Sequence, residues 1–118
     1  MKARATFKEA EVLFSLDLAD GAANRAWYAI FHAISAKFTL HYGTPSKLLK
    51  KPVDNSRYSH QAVAEHCGKA GCSSSQSRII STALRLRVQA DYRPDPVILA
   101  ELKDVMAAIP DILTRVGA

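Results

Sequence analysis

No stretch of the chain alternates apolar and polar residues in the manner of a half-buried strand, so a β-sheet is not expected. Nor does any segment reach the roughly 18 uninterrupted apolar residues of a membrane span. The opening residues, Met1 to Glu9, lack the apolar run of a secretory signal. These absences point to a soluble, cytoplasmic chain with no membrane partner. Only two cysteines occur, Cys67 and Cys72, which argues against a disulfide scaffold and, in a reducing compartment, for two free thiols. No glycine-rich phosphate loop, Ser-His-Asp order or pair of catalytic carboxylates can be argued. Beyond Ser73-Ser74-Ser75 there is no low-complexity tract and no repeat.

What is present suits one compact domain spanning residues 1–118, since 118 residues with 48% apolar and 23% charged content can bury a real core. The net charge of +5 and pI near 9.4 make an anionic partner plausible, whether RNA, a nucleotide or an acidic protein.

Helical periodicity accounts for most of the chain. Phe7, Ala10, Leu13 and Phe14 share a face of a first helix over residues 6–18, and Asp20-Gly21 breaks it. Asp20 is suited to cap a second helix from Ala22 to His41, which Gly43 and Pro45 then end. This is the central helix, with Trp27, Ile30, Phe31, Ile34 and Phe38 on a broad apolar side. Residues 46–58, with Lys47, Lys50, Lys51, Pro52, Asn55 and Arg57, read as a basic, exposed, mobile loop. A short third helix over Ser59 to Gly68 turns Ala62, Val63 and Cys67 inward. A fourth begins at the serine triplet, uses Ile79, Ile80, Ala83, Leu84, Leu86 and Ala90, and stops at Tyr92. Pro94 and Pro96 fit the first turn of a fifth, in which Pro110 should force a kink or break near residues 107–109. The expected fold is all-α, an up-and-down bundle of four to five helices.

Chemistry concentrates on the second and fourth of these helices. Arg25, Tyr28 and His32 line up as i, i+3, i+7, and Arg78, Arg85 and Tyr92 as i, i+7, i+14, a line that Arg87 does not join. Were the two helices neighbours, Arg25, Tyr28, His32, Arg85 and Tyr92 would offer guanidinium forks for phosphate and rings for stacking on a base. The plainer alternative is a hydrogen-bonded polar layer that fixes helix register. His60, His66, Cys67 and Cys72 are residue types that bind zinc. Their spacing does not form the usual i, i+4 pair, so a surface histidine and half-buried cysteines are the better reading and no metal site is expected.

Asn24-Arg25-Ala26-Trp27-Tyr28-Ala29-Ile30-Phe31-His32-Ala33 resembles the N-R-A-Y-Y-A-x-F-H-A helix of small prokaryotic HEPN-domain proteins, and Leu86-Arg87-Val88-Gln89-Ala90-Asp91-Tyr92 resembles their L-R-x-x-A-D-Y helix end. His60 falls where many of that subgroup carry a histidine. The resemblance implies a helical bundle that often forms a homodimer and is often paired with a minimal nucleotidyltransferase in toxin-antitoxin systems. Several branches of that family are metal-independent ribonucleases using an Arg-x(4-6)-His motif, with a tyrosine two residues after the histidine in some. Laid on this chain, the pattern puts Arg85 on the arginine and Tyr92 on the tyrosine, but Ala90 where the histidine should stand. RNA cleavage through the 2′-hydroxyl needs a group that exchanges protons near neutral pH, which alanine cannot do.

The expectation is therefore a module that binds a nucleotide, RNA or a nucleotidyltransferase partner, without a cofactor, through Asn24, Arg25, Tyr28, His32, Arg85 and Tyr92. A ribonuclease with a divergent site, in which Arg85 acts with His32 or a histidine of a second subunit, is the enzymatic alternative. A structural interaction module is the third.

Overall fold

The computed structural model describes residues 2–54 and 57–118. It is 78% helical and has no strand among the described residues. Among the described residues six α-helices follow in order: α1 (Lys2–Ser15), α2 (Ala19–Tyr42), α3 (Pro45–Leu49), α4 (His60–His66), α5 (Ser74–Tyr92) and α6 (Leu99–Arg115). A 3₁₀ turn, Cys67–Ala70, joins the end of α4 to the approach to α5. The expected all-α bundle is thus present, with four long helices and two short ones.

The central position of α2 follows from its sequence. Ala22, Ala23, Ala26, Trp27, Ala29, Ile30, Ala33, Ile34 and Phe38 are all buried, so apolar surface extends around much of the helix and packs against α1, α5 and α6. Small residues on this side let neighbouring helices approach closely. Gly21 shows the point, because a Cβ there would lie 3.3 Å from Leu13 Cδ1 of α1. Gly21 therefore lies within α2, where close packing favours it, and does not break the helical pattern as expected.

Asp20 also has a different task from the one its sequence position suggests. Helix α2 begins three residues earlier than expected, at Ala19 after Leu18, which makes no side-chain cap. The Asp20 carboxylate instead accepts the Val97 backbone N–H at 3.3 Å, tying the α5–α6 connection to the start of α2. That tether, together with the Gln89 amide donating to the Pro96 carbonyl at 2.8 Å, keeps residues 93–98 out of the helix. Pro94 and Pro96 consequently lie in the connection, and α6 starts at Leu99. Helix α6 also runs unbroken through Pro110, which sits on its exposed side, so the expected break does not occur.

The segment expected as a loop is anchored at both ends. Pro45 opens the short α3, whose Leu48 is buried, and Lys50 ends it in the left-handed conformation at φ 56°. Tyr58 is buried against Phe38, with ring centroids 5.3 Å apart, and its hydroxyl donates to the Phe38 carbonyl at 3.3 Å. Lys47, Lys50, Lys51 and Arg57 are exposed between these anchors, whereas Asn55 lies outside the described residues.

The serine cap expected at the head of α5 forms, and Ser59, expected inside the third helix, caps α4 as well. The Ser59 hydroxyl accepts the Ala62 N–H at 3.0 Å and starts α4. Ser73 makes a capping box, accepting the Gln76 N–H at 3.2 Å while the Gln76 side chain accepts the Ser73 N–H at 2.9 Å. Gly71, at φ 107°, supplies the left-handed residue that closes the 3₁₀ turn. One hydrophobic cluster draws residues from all six helices, and Ser59 at the head of α4 delivers His60 to the flank of α2.

Candidate functional site

Helices α2 and α5 meet through a polar clasp built from the two stretches that carry the family resemblance. The Asn24 amide donates to both oxygens of Asp91, at 3.3 and 3.1 Å. Its carbonyl oxygen accepts from Arg25 Nε and Nη2, at 3.0 and 2.7 Å, which holds the Arg25 guanidinium 5.2 Å from the centroid of the Tyr28 ring. On α5, Arg87 stands one turn before Asp91 and forms an i, i+4 ion pair with it, Nε to Oδ2 at 3.0 Å. The N–H is poorly aligned in that pair, so the buried Arg87 Nε lacks a hydrogen bond. Arg87 Nη2 donates to the Tyr28 hydroxyl at 3.3 Å. The same guanidinium lies 5.7 Å from the Tyr28 ring centroid and 5.4 Å from that of Tyr92. Tyr92 itself is 71% exposed.

An aromatic nest adjoins the clasp. The fully buried Trp27 donates its indole N–H to His60 Nδ1 at 2.7 Å. Phe31 stacks on the imidazole, with centroids 4.6 Å apart and planes 23° apart, and Tyr28 meets it edge-on at 5.6 Å. An indole nitrogen can only donate, so His60 Nδ1 must accept, and the neutral ring carries its proton on Nε2. Burial, followed by the charge of Arg87, pulls the His60 pKa below its usual value. His32, whose ring is 5.8 Å from that of Tyr28, is likewise lowered, by burial and then by Lys2 and Arg25. Both imidazoles are therefore held neutral near pH 7.

Of the residues expected to converge, Asn24, Arg25, Tyr28, His32 and Tyr92 do so. Arg85 does not. It forms an ion pair with Glu101 of α6 and lines a separate open groove of about 680 Å³ between α4 and α5, together with Gln61, Glu65, Ser81, Gln89 and Arg93. Helix α5 turns Ile80, Ala83 and Leu86 into the core, so Arg87 comes round beside them to α2 and Arg85 faces away from it. Arg85 and His32 thus belong to different surroundings within one chain. Three members of the cluster were missed as site residues: Arg87, Asp91 and His60. The i, i+4 spacing of Arg87 and Asp91, on the flank of the Ile80-Ala83-Leu86 stripe, was the available signal.

Among the described residues, no group of three or more His, Cys, Asp or Glu side chains is placed to hold a metal ion. No helix of the described chain is long and apolar enough to cross a membrane. Neither a protein-family model nor a curated protein matches the chain.

Proposed function

We propose that the chain is a HEPN-type helical module that binds single-stranded RNA or a nucleotide on the α2–α5 face. The observation that carries this reading is the placing of two guanidinium groups, Arg25 and Arg87, beside the Tyr28 ring, with Arg87 also beside the exposed Tyr92. A guanidinium pairs with phosphate in a planar, multidentate way, and a tyrosine face accepts a stacked base of any identity. The neutral His60 Nε2–H adds a donor that needs no charge. The formal net charge of +5 favours an anionic ligand over an acidic surface's usual partners.

In this reading the site binds and does not cleave. His60 has one nitrogen committed to Trp27, His32 is set apart from Arg85, and Ala90 stands where the resemblance would put the proton carrier. The homodimer and the nucleotidyltransferase partner are parts of the same proposal and rest on the resemblance.

A second reading is favoured by the clasp itself. The hydrogen bonds of Asn24 and Asp91 are spent within the chain, as in a polar layer that fixes the register of α2 against α5. Fluorescence anisotropy with a labelled single-stranded oligoribonucleotide separates the two. Binding that weakens in Arg25→Ala and Tyr92→Ala at unchanged melting temperature supports the ligand site; affinity unchanged in both variants leaves the cluster structural. Metal-free cleavage of the same RNA, abolished by Arg85→Ala, would restore the nuclease reading.

A further inference from the structure

The lysines between α2 and α4 have no part in the clasp, yet this stretch holds most of the chain's excess charge. Residues 37–57 contain five lysine or arginine side chains against one carboxylate, Asp54, so four of the five excess positive charges lie there. Lys47, Lys50 and Lys51 are exposed, and among the described residues none of the three pairs with a carboxylate. Given RNA binding at the α2–α5 site, we propose that these three lysines contact the phosphates of the same strand whose base stacks on Tyr92. The ligand is then an oligoribonucleotide and not a mononucleotide.

The loop that carries the lysines is pinned. The Val53 N–H donates to the Ser46 hydroxyl at 3.1 Å, and that hydroxyl donates to the Val53 carbonyl at 3.4 Å, closing residues 46–53. Leu48 fills the core at 1% exposure, and Leu49 packs half-buried against the same cluster. Lys50, at φ 56°, adopts the left-handed conformation that residues other than glycine seldom take. This turn keeps Leu48 and Leu49 inward while Lys47, Lys50 and Lys51 stay in solvent. Ammonium groups on a pinned loop lose less freedom on meeting phosphates than the same groups on a loose tail.

The chain itself leads from this loop to the clasp. Tyr58 packs on Phe38 and His60 stacks on Phe31, so residues 58–60 run back along α2 toward its start. There His60 meets the Tyr28 ring, with centroids 5.6 Å apart. From Arg25 to Tyr42 the helix extends about 26 Å at 1.5 Å per residue, which no mononucleotide bridges. A strand rising about 3.4 Å per nucleotide covers it with roughly eight, inside the range of about 4–16 for single-strand sites. An anionic bilayer is the other polyanion that clustered lysines attract. It would find little to hold, because Leu40 is the one large apolar side chain exposed among the described residues of 37–60.

The test measures fluorescence anisotropy against salt for a labelled oligoribonucleotide of about twelve nucleotides and for a labelled dinucleotide. Three proteins are compared: the parent chain, a variant combining Lys47→Gln, Lys50→Gln and Lys51→Gln, and Tyr92→Ala. All four substituted side chains are exposed, so the melting temperatures should agree. The lysine variant should bind the longer RNA at least tenfold more weakly at about 0.1 M salt, with the log–log slope smaller by about 2, three contacts at roughly 0.7 each. Its affinity for the dinucleotide should be unaltered, whereas Tyr92→Ala should weaken both ligands. Longer RNA weakened by Tyr92→Ala but unaltered in affinity and slope by the lysine variant would overturn the lysine contacts and leave the α2–α5 site standing. Dependence on the lysines with none on Tyr92 would overturn the shared strand together with that site. Co-sedimentation with phosphatidylserine vesicles that the lysine variant abolishes, alongside unaltered RNA binding, would assign the loop to a lipid surface and also overturn the proposal.

Discussion

Asn24 and Asp91, 67 residues apart, are joined by two hydrogen bonds at 3.3 and 3.1 Å, and they belong to the two stretches that carry the family resemblance. The contact ties the start of α2 to the end of α5. Asp91 is the hub, since it accepts from Asn24 and pairs with Arg87, while Arg87 reaches on to Tyr28.

A double-mutant cycle on this pair measures that hub. Asn24→Ala and Asp91→Ala should each lower the free energy of unfolding in urea by about 0.5–1.5 kcal/mol, the range for a solvent-accessible hydrogen bond. The double variant should lose less than the sum, with a coupling of about 0.5–3 kcal/mol. Additive losses would show that the two side chains contribute independently.

The pH dependence of stability follows from His60 and His32. Both have folded-state pKa values lowered below the ordinary 6.5, so the folded state binds fewer protons than the unfolded chain. Their contribution is fully present above pH 6.5 and is lost as pH falls through the folded values. The urea midpoint should fall on going from pH 7 to pH 5, and His60→Gln should flatten that fall. Trp27, the one tryptophan, reports the same event, because protonating Nδ1 of His60 breaks the bond its indole makes. Its fluorescence should change in step with the loss of stability, and the change should be absent from His60→Gln.

The capping box at the head of α5 offers a local check. Ser73→Ala removes the acceptor for the Gln76 N–H and should cost ~1 kcal/mol by thermal denaturation, while leaving ligand affinity unaltered.

How much was legible in the sequence depends on the kind of signal. Apolar periodicity and serine caps located the long helices, because those are local properties of Trp27, Ile30, Ile80 and Ser73. Asp20 and Pro96 misled, since a contact across 77 residues between Asp20 and Val97 decides where α6 begins. The same limit applied to the candidate site. Arg25, Tyr28 and His32 share one helix face and were found by spacing. Choosing between Arg85 and Arg87 required knowing which side of α5 faces α2, and that is set by Ile80, Ala83 and Leu86 together with the position of α6. His60 enters from a separate helix, and only its bond to Trp27 places it.

The groove between α4 and α5 gives the ligand reading a built-in control. Arg85 and Tyr92 are both exposed residues of α5, but only Tyr92 adjoins Arg87. Arg25→Ala should reduce the slope of log affinity against log salt by about one contact's worth, near 0.7, whereas Arg85→Ala should leave it unaltered.

The most direct test of the account compares Tyr92→Ala with Arg85→Ala in equilibrium binding to a short single-stranded oligoribonucleotide at fixed salt. Tyr92→Ala should weaken binding by about 1–3 kcal/mol, the range for one base stacked on an aromatic ring. Arg85→Ala should bind like the parent chain. The reverse ranking, with Arg85→Ala crippled and Tyr92→Ala unaffected, would move the site to the α4–α5 groove and contradict the account.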